Sequence, residues 1–144
     1  MLRRATRDDL PALMRIEGTS FGRHAWERDQ FLDYLAEPET SVFLVAVTVG
    51  GVAGYIIGFY EHNRAEVDSV AVKPSYRGQG VAAALLARLM TLLRRRGFAT
   101  LKLTVRLDNT AAIALYRKLG FSRERRINRH YEDGAPAWRM RAWL

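Results

Sequence analysis

The sequence predicts a mixed α/β fold in which helices interrupt one sheet. Three observations carry that prediction. Val42 to Tyr60 contains no charge, but Gly50 and Gly51 divide it, and Val, Ile, Phe and Tyr dominate both sides. Such a stretch reads as two strands about a Gly-Gly turn, not as a membrane-spanning helix. Ala65 to Val72 reads as a further strand and runs through Arg77-Gly78-Gln79-Gly80 into a segment of strong helix formers. Phe98 to Val105 alternates again and leads into a second helical segment closed by Gly120.

The elements follow in order. Leu2 to Thr6 is a first strand. Thr6 then caps a helix with Asp8 and Asp9 in its first turn and Leu10, Leu13, Met14 and Ile16 along one side. Trp26 to Leu35 is a second helix, with Pro38 just past its end. Strands at Ser41–Val49 and Gly51–Glu61 precede a turn at His62-Asn63-Arg64, then the strand Ala65–Val72, stopped before Pro74. Val81 to about Arg96 is a long helix. Arg94, Arg95 and Arg96 complement the dipole at its end, and Gly97 stands at C′. After the strand Phe98–Val105, Asp108-Asn109-Thr110 opens a helix over Ala111–Leu119. Phe121 to Leu144 reads as two strands around Asp133-Gly134. The order is β-α-α-β-β-β-α-β-α-β-β, in a single domain over residues 1–144.

Composition narrows the chemistry. The 144 residues hold no cysteine, so disulfides, thiolate metal sites and a cysteine nucleophile are excluded. His24, His62 and His130 have no ligand-like spacing, and no metal is expected. Net charge is +8 and lopsided. Residues 1–76 carry 8 basic and 11 acidic residues, while residues 77–144 carry 15 basic and 4 acidic. A basic half suits a polyanionic partner, such as a phosphorylated cofactor. No DNA-reading motif is present. No targeting segment is visible, so a cytoplasmic protein without a membrane partner is expected.

The chemistry concentrates at Arg77-Gly78-Gln79-Gly80-Val81-Ala82, which follows a strand and opens a helix. A helix N-terminus offers unpaired N–H groups and a positive dipole end, and glycine lets a ligand approach the backbone. Such a turn can cradle a pyrophosphate. It lacks the Gly-Lys-Ser/Thr of a P-loop and the three glycines of the dinucleotide fingerprint.

At this point the chain resembles the GNAT acyltransferase superfamily. Arg77, Gly80 and Ala82 meet its Gln/Arg-x-x-Gly-x-Gly/Ala signature, Asp68 to Gly80 looks like its fourth strand and pyrophosphate loop, and Asn109 to Phe121 looks like its asparagine-to-Gly-Phe segment. Leu2 to Thr6 with Asp9 matches the superfamily's usual start. Within it the chain is most similar to bacterial ribosomal-protein-alanine N-acetyltransferases. Trp26 with Phe31 resembles that group's Pro-Trp-…-Phe segment, with Ala25 in place of the proline, and Arg126 to Met140 resembles its tail.

The resemblance implies a mostly antiparallel seven-stranded mixed sheet with about four helices packed on both faces. It implies acetyl-CoA as co-substrate and an acceptor amine, foremost a protein N-terminus such as that of a ribosomal protein. Backbone groups of Val70, Ala71 and Val72 would pair with the pantetheine arm. Amides of Arg77, Gly78, Gln79, Gly80, Val81 and Ala82 would hold the pyrophosphate, with Arg117 and Lys118 as further cations. Asn109 would bond the cofactor, and Tyr116 would protonate the leaving thiolate. A strand amide near Val70 would serve the oxyanion, and without cysteine the transfer is expected to be direct.

One departure stands out. The group carries a Glu base on the fifth strand, two residues before an Arg, and here that run reads Thr104-Val105-Arg106. Glu66 and Asp68, which share a strand face at period two, are the substitutes, followed by His130, Tyr131 and Tyr60. A peptide α-amine, with a pKa of about 8 against roughly 10.4 for lysine, is the easier acceptor to deprotonate. A small-molecule amine or a lysine side chain as acceptor, and a non-catalytic CoA- or RNA-binding module, remain the alternatives.

Overall fold

The computed structural model describes residues 1–22 and 27–144. Its elements are β1 (Leu2–Arg4), α1 (Leu10–Phe21), α2 (Arg28–Leu35), β2 (Ser41–Thr48), β3 (Gly51–Glu61), β4 (Arg64–Val72), α3 (Val81–Arg95), β5 (Thr100–Arg106), α4 (Thr110–Lys118), β6 (Ser122–Ile127) and β7 (Ala137–Trp143). The expected order is found, with ends that differ by a residue or two. Trp26, expected to open the second helix, lies with Ala25 and His24 outside the described residues.

The differences have local causes. Thr6 precedes a 3-10 turn, Arg7–Asp9, before α1 begins. There the Asp9 carboxylate accepts from the Thr6 amide at 2.8 Å and from both terminal nitrogens of Arg3 at 2.8 and 2.9 Å. β5 starts later than alternation suggests because Phe98 still belongs to the end of α3. Gly97 adopts φ 91°, and the Phe98 amide bonds back to the Leu93 carbonyl at 3.1 Å.

The seven strands form one sheet, ordered β1-β2-β3-β4-β5-β7-β6. Every neighbouring pair is antiparallel except β4 and β5, which run parallel because α3 carries the chain back across the sheet. One face is covered by α1 and α2, whose Leu10, Leu13, Ile16 and Phe31 pack on Phe43, Val45, Tyr55 and Ile57. The other is covered by α3 and α4, where Leu85, Leu86, Leu89 and Leu93 meet Ile56, Leu101, Leu103 and Met140. Met14, read as part of the apolar side of the first helix, is instead 38% exposed, while Glu17 takes a buried place on that helix.

Two irregularities shape the centre of the sheet. β4 pairs with β5 at a single register, Glu66 opposite Lys102. Between β3 and β4, Ile57 lies opposite Ser69 and Gly58 opposite Val67, so Asp68 is an extra residue in a β-bulge. Gly54 allows β3 to approach closely: a Cβ there would lie 2.8 Å from the Ala71 carbonyl oxygen and 3.2 Å from Val81. The backbone of β4 cannot yield without disturbing the sheet. Gly54→Ala is therefore expected to lower unfolding stability by about 1–3 kcal/mol, measured by denaturant titration.

Candidate functional site

Beyond the Glu66–Lys102 register β4 and β5 no longer bond, and a cavity of about 850 Å³ opens between them. Val67 to Val70 line one side and Leu103 to Arg106 the other; Glu17, Tyr116, His130 and Tyr131 complete much of the wall. A second cavity, about 610 Å³, runs along Val70, Ala71 and Val72 to Arg77, Gly78, Gly80, Val81 and Ala82. Val70, Asn109 and Tyr116 border both. A third space of about 480 Å³ lies over Glu66, Asp68, Thr104, Arg125 and Arg139.

The smaller groove is a backbone-lined cradle. β3 occupies one edge of Val70–Val72, and the departure of β5 leaves the other edge open. Gly78 and Gly80 sit at φ 77° and 81°, a region that disfavours other residues, and the turn delivers the first amides of α3 with no described side chain capping them. These are the features a long, anionic, amide-containing ligand needs. The Arg77 Nε donates to the Val72 carbonyl at 3.1 Å.

Some expected residues stand elsewhere. The Gln79 side chain does not line the groove; its Nε2 donates to the Ser75 carbonyl at 3.3 Å, and only its backbone amide belongs to the turn. Arg117 and Lys118 are exposed at the end of α4 and line none of the three cavities. Tyr60 also lines none: it packs on Phe98 in the α3 core and accepts from Arg96. Asn109 uses its side-chain oxygen to cap α4, accepting from the Ala112 amide at 3.2 Å.

The carboxylates divide by environment. Arg139 donates to Glu66 and, at 3.1 Å, to the Thr104 hydroxyl, and Arg64 stands 3.3 Å from the same Glu66 oxygen. Burial would raise the Glu66 pKa, but the two guanidinium groups outweigh it and hold it below its ordinary value. Asp68 is pushed the other way, chiefly because the cavity walls strip it of water, with the Glu66 charge adding to the rise. The Tyr34 hydroxyl of α2 donates to it and opposes the shift. Of the two, Asp68 is thus the carboxylate shifted toward accepting a proton.

Tyr116 is 8% exposed and packs on Phe121 with ring centroids 5.8 Å apart. Burial pushes its hydroxyl up to about 12, so it keeps its proton and can act as a donor. Tyr131 is raised by burial as well, and Arg106 lies 4.8 Å over its ring. Arg106 also holds Asp133 at 2.8 Å and Asp108 at 3.5 Å, which ties the loop between β6 and β7 to the cavity rim.

Sequence reasoning missed Glu17, Tyr34, Tyr55, Ser69 and Arg139. Only Glu17 carried a signal, a carboxylate at Leu13+4 on an otherwise apolar helix side. Among the described residues no group of three or more His, Asp or Glu could hold a metal ion, and no helix is long and apolar enough to cross a membrane.

Residues 8–121 match the Acetyltransferase (GNAT) family. The chain is 39% identical over 125 residues to the [ribosomal protein bS18]-alanine N-acetyltransferase of Escherichia coli K12, covering 85% of this chain and 80% of that protein. The crystal structure of the ribosomal-protein-S18-alanine N-acetyltransferase from Escherichia coli superposes with TM-score 0.88 at 32% identity, over 100% of this chain and 93% of that one. Ard1 from Thermoplasma volcanium does so with TM-score 0.91 at 29% identity, over 100% and 97%.

The rim contacts give an expectation of their own. Asp133→Ala should speed amide exchange across residues 128–136 by about fivefold, the equivalent of about 1 kcal/mol for a partly exposed ion pair, while β4 and β5 exchange as before.

Proposed function

The chain belongs to the acetyltransferase (GNAT) family and is an acetyl-CoA-dependent N-acetyltransferase, and from that premise we propose that it acetylates the α-amine of a protein or peptide N-terminus. The observation that carries this reading is the meeting of a backbone-lined groove with a separate polar cavity at Val70, Asn109 and Tyr116. One space suits the co-substrate and the other the acceptor. The relatives named for acetylation of ribosomal-protein alanine support the same acceptor class.

Roles follow from environment. The open edge of Val70–Val72 would pair with the pantetheine arm as an added strand would, and the amides from Arg77 to Ala82 would take the pyrophosphate. Bound acetyl-CoA supplies the thioester whose acetyl group is transferred. A β4 amide near Val70 would donate to the carbonyl oxygen as charge develops on it. Asp68 would take the amine proton, directly or through a water, and Tyr116 would give its proton to the departing sulfur. Glu66, paired with Arg139 and Arg64, would instead hold Arg139 against Thr104. The carboxylate that similar enzymes place on the fifth strand is thereby supplied from the fourth.

The first test is CoA release with two short peptides, one with a free small N-terminal residue and no lysine, the other N-terminally blocked with one internal lysine. Turnover is expected on the first alone. Tyr116→Phe should lower kcat on that peptide by about 100-fold while acetyl-CoA affinity stays unchanged.

The Asp68 assignment predicts a pH dependence. A base works deprotonated, so kcat/KM should rise with pH as Asp68 ionises. Because burial raises its pKa, the rise should fall above the usual carboxylate range. In a pH–rate series, Asp68→Asn should remove that limb and cut kcat by about 100-fold.

A further inference from the structure

The wall of the larger cavity contains a chain of three polar groups that the acid–base roles leave unused. Glu17, on α1, borders the cavity and is only 1% exposed. The hydroxyl of Tyr55, itself fully buried on β3, donates to the Glu17 carboxylate. The same hydroxyl lies 2.9 Å from the Ser69 Oγ, a separation at which either oxygen could donate.

Counting protons decides the direction. A phenol has one proton to give, and the Tyr55 hydroxyl directs it at the Glu17 carboxyl oxygen. Tyr55 gives that proton to Glu17, so Ser69 must donate to Tyr55. The one proton of Ser69 is therefore turned into the wall, and its Oγ can meet the cavity with lone pairs alone. The bulge at Asp68 sets this oxygen in place, because it puts Ser69 opposite Ile57, on the α1 and α2 side of the sheet. Ser69 follows Asp68 and precedes Val70, and all three line the same cavity.

We infer that Ser69 Oγ accepts an N–H of the acceptor amine, and that Tyr55 and Glu17 are positioning residues acting through it. This rests on the acetylation reading above and deepens it. A neutral primary amine has two N–H bonds and one lone pair. One N–H goes to Ser69 and the other to Asp68, which leaves the lone pair for the carbonyl carbon. A secondary amine cannot satisfy both oxygens, so the site selects primary amines.

The test compares kcat/KM for two peptides that differ only in starting with alanine or N-methylalanine. The proteins are the wild type, Ser69→Ala, Tyr55→Phe and the double variant, with acetyl-CoA KM measured for each. The wild type should prefer the primary amine by about tenfold, the weight of one hydrogen bond. Each single variant should lose about that factor on the alanine peptide and bring the preference close to unity. The double variant should be no worse than either single one, with acetyl-CoA KM unchanged throughout. Ser69→Ala lies on the cavity wall and reads out independently of any effect of Tyr55→Phe on folding. An active wild type with Ser69→Ala retaining rate and preference, or with only acetyl-CoA KM moved, overturns this inference alone. A wild type inactive on both free-amine peptides overturns it together with the N-terminal reading.

Discussion

The single parallel contact between β4 and β5 is the constraint on which the rest of the structure depends. α3 returns the chain so that β5 arrives beside β4 in the same direction, but the two bond only where Glu66 faces Lys102. Past that point each strand presents an edge that the other would normally satisfy. An unpaired edge inside a sheet is costly unless water or a ligand meets it. Here the open edge of β4 forms one side of both cavities, and the turn at its end leads directly into the first amides of α3. The defect in the sheet and the site are the same feature.

The polar groups around that opening are arranged so that each carboxylate has a different electrostatic setting. Glu66 is engaged by two guanidinium groups, Asp68 by a neutral phenol, and Glu17 by a buried tyrosine hydroxyl. Carboxylates gathered around adjoining cavities would repel a further negative charge and would all favour protonation if left alike. Pairing one with arginine fixes it as an anion and leaves its neighbour Asp68 raised, the separation of roles that acid–base chemistry at one site requires. Arg139 is central to that division because it bridges β7, β5 and β4 through Glu66 and Thr104. On the far rim, Arg106 does comparable work for the β6–β7 loop through Asp133 and Tyr131.

The turn and helix that form the groove are legible in the sequence. Gly78 and Gly80 announce a turn with positive φ, and the Ala- and Leu-rich run after them announces the helix whose amides they expose. The β4 strand followed from the same local grammar, whereas Asn109 and Tyr116 were indicated only by the resemblance to the acyltransferase superfamily. The acceptor side was less legible. Glu66 and Asp68 were visible as carboxylates two apart, but the bulge that makes Asp68 an extra residue has no sequence mark, and neither has the pairing that separates their pKa values. Tyr60, a weaker candidate for the base on chemistry, belongs to the α3 core, and the Gln79 side chain folds back on Ser75, so only the Gln79 backbone amide is left for a ligand in the glycine turn.

By itself, the sequence determined the elements, their order, the glycine turn and the absence of thiol chemistry, because each of these depends on residues adjacent in the chain. Helix propensity, alternation and the conformational freedom of glycine act over a few residues and need no partner. Only the tertiary structure decided which carboxylate is tuned, where Arg139 reaches and how the Glu17–Tyr55–Ser69 chain is polarised. Those properties come from groups brought together across 14 to 73 positions of sequence, from Tyr55 with Ser69 to Glu66 with Arg139. Their energies depend on distance and local dielectric, which no residue carries alone.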